Sequence, residues 1–247
     1  MYWVTGCTLV HLGHGDPAVL AIRQALAAAN KGSDPLLAAT LRGSVAWQLL
    51  VAGRYSEAEL VALRAAAAVE PTGDVPPEHL SVYGSLILQG ATAAGRGQNA
   101  RTAIDLADAA SEVADRLDED RKDYETNFGP SQIVMQRTDI RISTDQFPEA
   151  LTEARQMRSG GTGLAAVSQA RHALDKATAL SQLGRHDEAL QLLLAAESIG
   201  GEEWTRYQTL MKQVIDDSSS TTRAAPCAAS PAVSASAPDP FRLRQLR

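Results

Sequence analysis

A six-residue pattern that ends in alanine recurs five times along this 247-residue chain. Four copies begin with glycine and the fourth in chain order begins with Asp145. The alanines that close the copies are spaced by 40, 42, 50 and 39 residues, and they are Ala18, Ala58, Ala100, Ala150 and Ala189. A near-regular period of about 40 residues predicts repeated structural units that stack side by side, because one such unit cannot bury its apolar face alone.

Each copy has a second residue seven positions after its alanine that is small or flexible. These residues are Ala25, Ala65, Ala107, Met157 and Ala196. Seven residues are two helical turns, so both positions lie on one face of a helix, where a small side chain lets another helix approach closely. The pattern therefore predicts a helix after each turn.

Apolar residues at spacings of three and four predict helices before the turns as well. These segments are 37–52, 79–94, 132–143 and 164–183. Asp34 before Pro35 predicts a helix N-cap, and Ser56 with Glu59 predicts a capping box. Residues 70–77 contain three prolines and one glycine, and they predict a loop.

Composition favours an all-α fold. Aromatic residues make up only 4% of the chain, and the apolar set is rich in Ala and Leu, which suits closely packed helices better than a sheet.

The formal charge of -6 provides no basic field for a nucleic-acid backbone, so we expect no direct nucleic-acid binding by this chain. No segment is long and apolar enough to cross a membrane. Cys7 and Cys227 do not form a disulfide framework, and a reducing cytoplasm fits best.

One cluster admits two interpretations. Cys7, His11, His14 and Asp16 have a spacing that metal ligands could share. The same residues also fit the turn of the first repeat, since His14 aligns with Arg54 in the second repeat. We favour the turn and expect no metal or cofactor, and a small metal-binding or enzymatic protein that uses Cys7, His11 and His14 is the alternative.

Two further polar stretches have simpler interpretations. Arg171, His172, Asp175 and Lys176 lie close together on a predicted helix, and we favour a solvated face with an internal ion pair over a polar site. The charge-dense stretch 115–123 fits a helix end and an exposed loop.

The known catalytic motifs G-x-S-x-G and H-E-x-x-H do not occur in the sequence, so nothing in it argues for an enzyme.

The pattern G-x-[YFH]-x-E-A, seen in Gly53 to Ala58 and in Gly184 to Ala189, resembles the tetratricopeptide repeat. The segment from Asn127 to Val134, followed by Arg137 and the helix at 146–157, resembles the C-terminal region of actinobacterial XRE-type helix-turn-helix transcriptional regulators. This resemblance implies an all-α, tetratricopeptide-like solenoid of antiparallel helical hairpins, about five repeats long, over residues 1–216. In that family a DNA-binding domain precedes this region, so the chain is either a fragment of a regulator or a stand-alone adaptor. The Ser-, Ala- and Pro-rich residues 217–247 predict a disordered tail.

A solenoid of this kind has a concave surface that suits a peptide or protein ligand. Outward positions on the leading helices predict a binding groove that contains six residues: Trp47, Gln89, Gln132, Gln136, Asp139 and Arg171. Trp47 is either a ligand anchor or a residue that packs between helices. Apolar surface on the first repeat is consistent with a homodimer.

Overall fold

A computed structural model describes residues 1–117, 119–158, 163–206, 208 and 211–216. The predicted tail, 217–247, lies outside the described residues. Over the described part of the chain the fold is all-α, as predicted. The helices are α1 (Tyr2–His11), α2 (Gly15–Ala29), α3 (Pro35–Val51), α4 (Tyr55–Ala67), α5 (Pro77–Arg96), α6 (Ala100–Asp115), α7 (Pro130–Ser143), α8 (Phe147–Ala154), α9 (Ala166–Gln182), α10 (His186–Gly200) and α11 (Glu202–Arg206).

Within the residues that the structure describes, five short turns join consecutive helices into hairpins, and all five have the same backbone geometry. Each turn has one residue at positive φ, between 58° and 76°: Gly13, Gly53, Gln98, Asp145 and Gly184. The N–H of the following residue donates to the carbonyl five positions earlier, at 2.8 to 2.9 Å. This closure satisfies carbonyl groups that the end of a helix would otherwise leave without a partner.

A fully buried alanine follows each positive-φ residue by five positions. These alanines are Ala18, Ala58, Ala103, Ala150 and Ala189, and each has 0% of its surface exposed. They lie in the first turns of α2, α4, α6, α8 and α10. A buried alanine at the same distance from each turn explains four of the five copies of the sequence pattern: Ala18, Ala58, Ala150 and Ala189.

The sequence alignment of the third copy is wrong by three residues. It placed the turn at Gly95, but Gly95 is buried inside α5, and the positive φ belongs to Gln98. The buried alanine is therefore Ala103, whereas Ala100 is only half-buried. Gln98 accepts this conformation without being glycine, and its amide donates to the carbonyl of Ser143 at 2.7 Å.

The helix ends follow the predicted signals in part. The carboxylate of Asp34 accepts from the N–H groups of Leu36 and Leu37 at 3.0 and 3.1 Å, which confirms the predicted N-cap. The capping box predicted at Ser56 is wrong, because α4 already begins at Tyr55 and no side chain caps it.

A small antiparallel hairpin between α6 and α7 was not predicted. It consists of β1 (Arg121–Asp123) and β2 (Thr126–Phe128), and it occupies part of the stretch expected to be a loop. Phe128 is 1% exposed and packs on α5 at Gly84, where a Cβ atom would lie 2.1 Å from the phenyl Cζ. Asp120 fixes the base of the hairpin, because its carboxylate accepts from the N–H groups of Ser131 and Gly163 at 2.8 and 3.0 Å.

The first helices of successive hairpins pack side by side, in the order α1, α3, α5, α7 and α9. The second helix of each of the first four hairpins also contacts the first helix of the next hairpin. The first helices therefore form a continuous wall, and this wall carries the site described below. None of the helices in the described part is long and apolar enough to cross a membrane.

Candidate binding groove

A cavity of about 1260 Å³ runs along the wall of first helices. We call it the groove. Its lining includes all six residues that the sequence predicted for a binding surface, from α3 (Trp47), α5 (Gln89), α7 (Gln132, Gln136 and Asp139) and α9 (Arg171). The structure thus brings these six residues to one surface, and their role in binding stays a prediction.

A network of charged side chains from three helices forms part of the groove lining. The Asp139 carboxylate on α7 accepts from Arg96 on α5 at 3.1 Å and from Arg171 on α9 at 2.8 Å. Arg171 also donates through Nε to Asp175, one turn along α9, at 2.8 Å. Asp139 therefore links three successive hairpins through charge-assisted hydrogen bonds.

The interpretation of this part of α9 as a solvated face is wrong. Asp175 is 0% exposed and His172 is 5% exposed. Burial and, to a lesser extent, the charge of Lys176 together lower the pKa of His172 to about 4, so the imidazole is neutral at pH 7. Sequence spacing predicted the pairing of Arg171 with Asp175 but could not predict its burial.

The pKa values of the two carboxyl groups in the network are shifted in opposite directions. Burial raises the pKa of Asp175 to about 6, and the charge of Arg171 offsets this only in part. Burial also opposes ionisation of Asp139, but Arg96 and Arg171 together outweigh it and hold the pKa of Asp139 below its usual value. The Oδ2 atom of Asp175 is buried without a hydrogen-bond partner in the described structure. Asp139 is thus the better stabilised anion.

Amide and hydroxyl groups line the centre of the groove. Thr92 donates to Oε1 of Gln136 at 2.8 Å, while Gln89 and Gln132 lie nearby in the same lining. Oε1 of Gln132 is buried and has no hydrogen-bond partner in the described part of the chain. Side-chain amides both donate and accept, so this lining matches the alternating N–H and C=O groups of a peptide backbone.

All three tryptophans of the chain line the groove. Trp3 donates through Nε1 to the Ser44 hydroxyl at 2.9 Å. The centroid of the Trp47 ring lies 4.8 Å from that of the His11 ring, and Trp47 packs against apolar residues of three hairpins. Trp47 therefore packs between helices and also faces the groove. Trp3 and Trp204 were not among the predicted residues.

Residues 11–18 adopt the turn that the repeat alignment predicted. Gly13 has the positive φ of that turn, and His14 precedes the first residue of α2. Burial lowers the pKa of His11, and burial also raises the pKa of the half-buried Cys7. Within the described residues, no three His, Cys, Asp or Glu side chains lie together in a group that could hold a metal ion. The turn geometry thus accounts for the local pattern.

Comparison with protein-family models, with curated proteins and with solved structures gives no match for this chain.

Proposed function

We propose that this chain is a peptide- or protein-binding module with a tetratricopeptide-like solenoid of five hairpins. The observation that carries the proposal is the groove, in which residues from α3, α5, α7 and α9 converge although they are far apart in sequence. Five turns with the same geometry and five buried alanines support the repeat architecture.

The chemistry of the groove lining favours a peptide over a small polar molecule. The glutamines at its centre offer hydrogen bonds to a peptide backbone, and the tryptophans offer apolar surface to its side chains. Grooves between helices commonly bind peptides through such a combination of anchors and polar contacts. The groove spans several hairpins, and this length suits an extended or helical segment of a partner.

We further propose that the module is the regulatory part of a cytoplasmic helix-turn-helix transcriptional regulator, and that it can form a homodimer. The support is the sequence resemblance, together with a wall of helices whose hairpins are linked by Asp139. A ligand that binds one arrangement of these hairpins more tightly than another would shift the population between them. Such a shift is how a groove could control an attached domain.

A library of random dodecapeptides displayed on phage tests the binding proposal. We expect the full chain to enrich peptides with a shared motif, and calorimetry with a synthetic enriched peptide gives its affinity. Trp47→Ala should weaken binding at least about tenfold, because a buried aromatic anchor contributes about 1 to 2 kcal/mol or more. Gln136→Ala should weaken it about fivefold through the loss of one hydrogen bond.

The matched control is Gln191→Ala, which removes an exposed glutamine from α10 outside the groove. It should leave the affinity unchanged, and circular dichroism should show that all three variants keep their helices. If no peptide is enriched, or if Trp47→Ala and Gln136→Ala bind as tightly as Gln191→Ala, the proposed function is wrong.

A further inference from the structure

The lining of the groove is acidic on balance, and one of its carboxylates remains unpaired in the described part of the chain. Its lining contains two arginines and four acidic residues. Arg96 and Arg171 are both paired with buried aspartates, and Glu125 is paired with Lys122 at 2.6 Å. Asp145 is exposed and makes no ion pair within the described part of the chain. The groove therefore favours a ligand that carries positive charge.

The tryptophans favour the same ligand chemistry. An arginine guanidinium can stack on an indole ring, which attracts cations through its π-electrons. Trp47 is half-buried and Trp204 is also half-buried, so both combine a packed ring with a face toward the groove. A short segment with alternating apolar and arginine residues would match both the aromatic rings and the unpaired carboxylate of Asp145.

The chain itself contains such a segment at its end. Residues 241–247 read Phe-Arg-Leu-Arg-Gln-Leu-Arg. Four arginines and two aspartates give residues 217–247 a net charge of +2. Because the whole chain has a net charge of -6, residues 1–216 have a net charge of -8. The two parts of the chain thus have opposite charge.

The last described residues lie beside the groove. Met211 and Val214 pack in one apolar cluster with Trp204, and Trp204 lines the groove. The 24 residues from 217 to 240 can span up to roughly 80 Å when extended, so the segment at 241–247 can reach the groove of its own chain. Covalent attachment also raises the effective concentration of such a segment to about the millimolar range, so that weak contacts suffice.

We infer that residues Phe241 to Arg247 dock in the groove as an intramolecular ligand that an external peptide must displace. This inference rests on the proposed function, because it assigns an occupant to the same peptide-binding groove. Arginines of the segment pair with Asp145 and stack on tryptophan rings, while Phe241 and Leu243 contact apolar lining. The groove is then partly self-occupied in the absence of a partner.

Photo-crosslinking of the full chain tests this inference. The crosslinking residue p-benzoylphenylalanine replaces Gln89 in one variant and the exposed, groove-lining Val51 in a second, so that the test survives if one of them fails to fold. A third variant carries it at Ala67, which is exposed on α4 outside the groove. After irradiation, mass spectrometry should find residues 241–247 joined to the groove positions of the same molecule but not to Ala67.

A tail variant separates specific docking from chance contact. Changing Arg242, Arg244 and Arg247 to Gln together should lower the crosslink yield about tenfold, since the cation–π and ionic contacts are lost. The control Arg223→Gln should leave the yield unchanged. Equal yields from Ala67, crosslinks only between two molecules, or no tail crosslink would overturn the inference. If the groove variants crosslink an enriched library peptide but never the tail, the proposed function stands and only the inference fails.

Discussion

Asp139 should be the most sensitive single charge in the fold, because its carboxylate accepts from arginines on two other hairpins. Asp139 is 5% exposed. Asp139→Asn removes the negative charge and leaves Arg96 and Arg171 close together without it. Each charge-assisted hydrogen bond contributes about 1.5 to 3 kcal/mol, and breaking a buried pair costs about 3 to 5 kcal/mol.

The expected loss lies at the lower end of this range. The side chains of Arg96 and Arg171 are 26% and 27% exposed, so water replaces part of the lost interaction. The amide oxygen of Asn can also still accept one hydrogen bond. We therefore expect Asp139→Asn to lower the free energy of unfolding by about 3 kcal/mol, and to lower the urea midpoint by about 1 to 2 M.

Urea unfolding at pH 7, followed by circular dichroism, measures this loss. The matched control is Asp108→Asn, which removes the partner of Arg137 at a carboxylate that is 55% exposed. It should cost less than about 1 kcal/mol, because exposed ion pairs contribute little. Because the arginines hold the pKa of Asp139 below 3.8, its stabilising effect should persist at neutral pH and disappear as the pH falls below that value. Equal midpoint shifts for the two variants at pH 7 would show that the Asp139 ion pairs stabilise the fold no more than an exposed pair does.

Three further changes have defined outcomes. Ala58→Leu should lower the free energy of unfolding by about 2 kcal/mol, because it overpacks a buried site. Ala67→Leu, at an exposed position, should change it by less than about 0.5 kcal/mol. Equal urea midpoints for the two variants would contradict this difference. Phe128→Ala should lower the free energy of unfolding by about 3 to 5 kcal/mol, because it leaves a cavity against Gly84. A much smaller loss in the same urea titration would contradict this. Asp175 favours its protonated form in the folded state, so its contribution to stability is present below pH 3.8 and lost as the pH rises through about 6. Asp175→Asn should therefore abolish a loss of about 2 kcal/mol between pH 4 and pH 7, and an unchanged pH profile of unfolding would contradict this.

The sequence predicts the turns of this fold well where glycine marks them. Gly13, Gly53 and Gly184 all take positive φ, and the pattern finds them because glycine adopts this conformation without steric cost. It misplaces the third turn because Gln98 takes the same conformation and a glycine lies three residues earlier. The decisive contact of Gln98 joins it to Ser143, 45 residues away, and no local pattern predicts it.

The groove shows the same division between local and distant information. Helical periodicity suffices to place outward residues such as Gln89 and Gln136 on one surface. The charge network needs Asp139 to meet Arg96 and Arg171, which are 43 and 32 residues away. Such partners depend on how hairpins pack, so the sequence could not predict that Asp175 is buried.

The proposed peptide-binding groove lies on one wall of helices, formed by α1, α3, α5, α7 and α9. The most direct test attaches a benzophenone group to a library-selected peptide, irradiates its complex with the full chain and maps the crosslinked residues by mass spectrometry. We expect crosslinks on α3, α5, α7 and α9 at residues of the groove lining. Crosslinks concentrated on α4, α6 and α10 would contradict it.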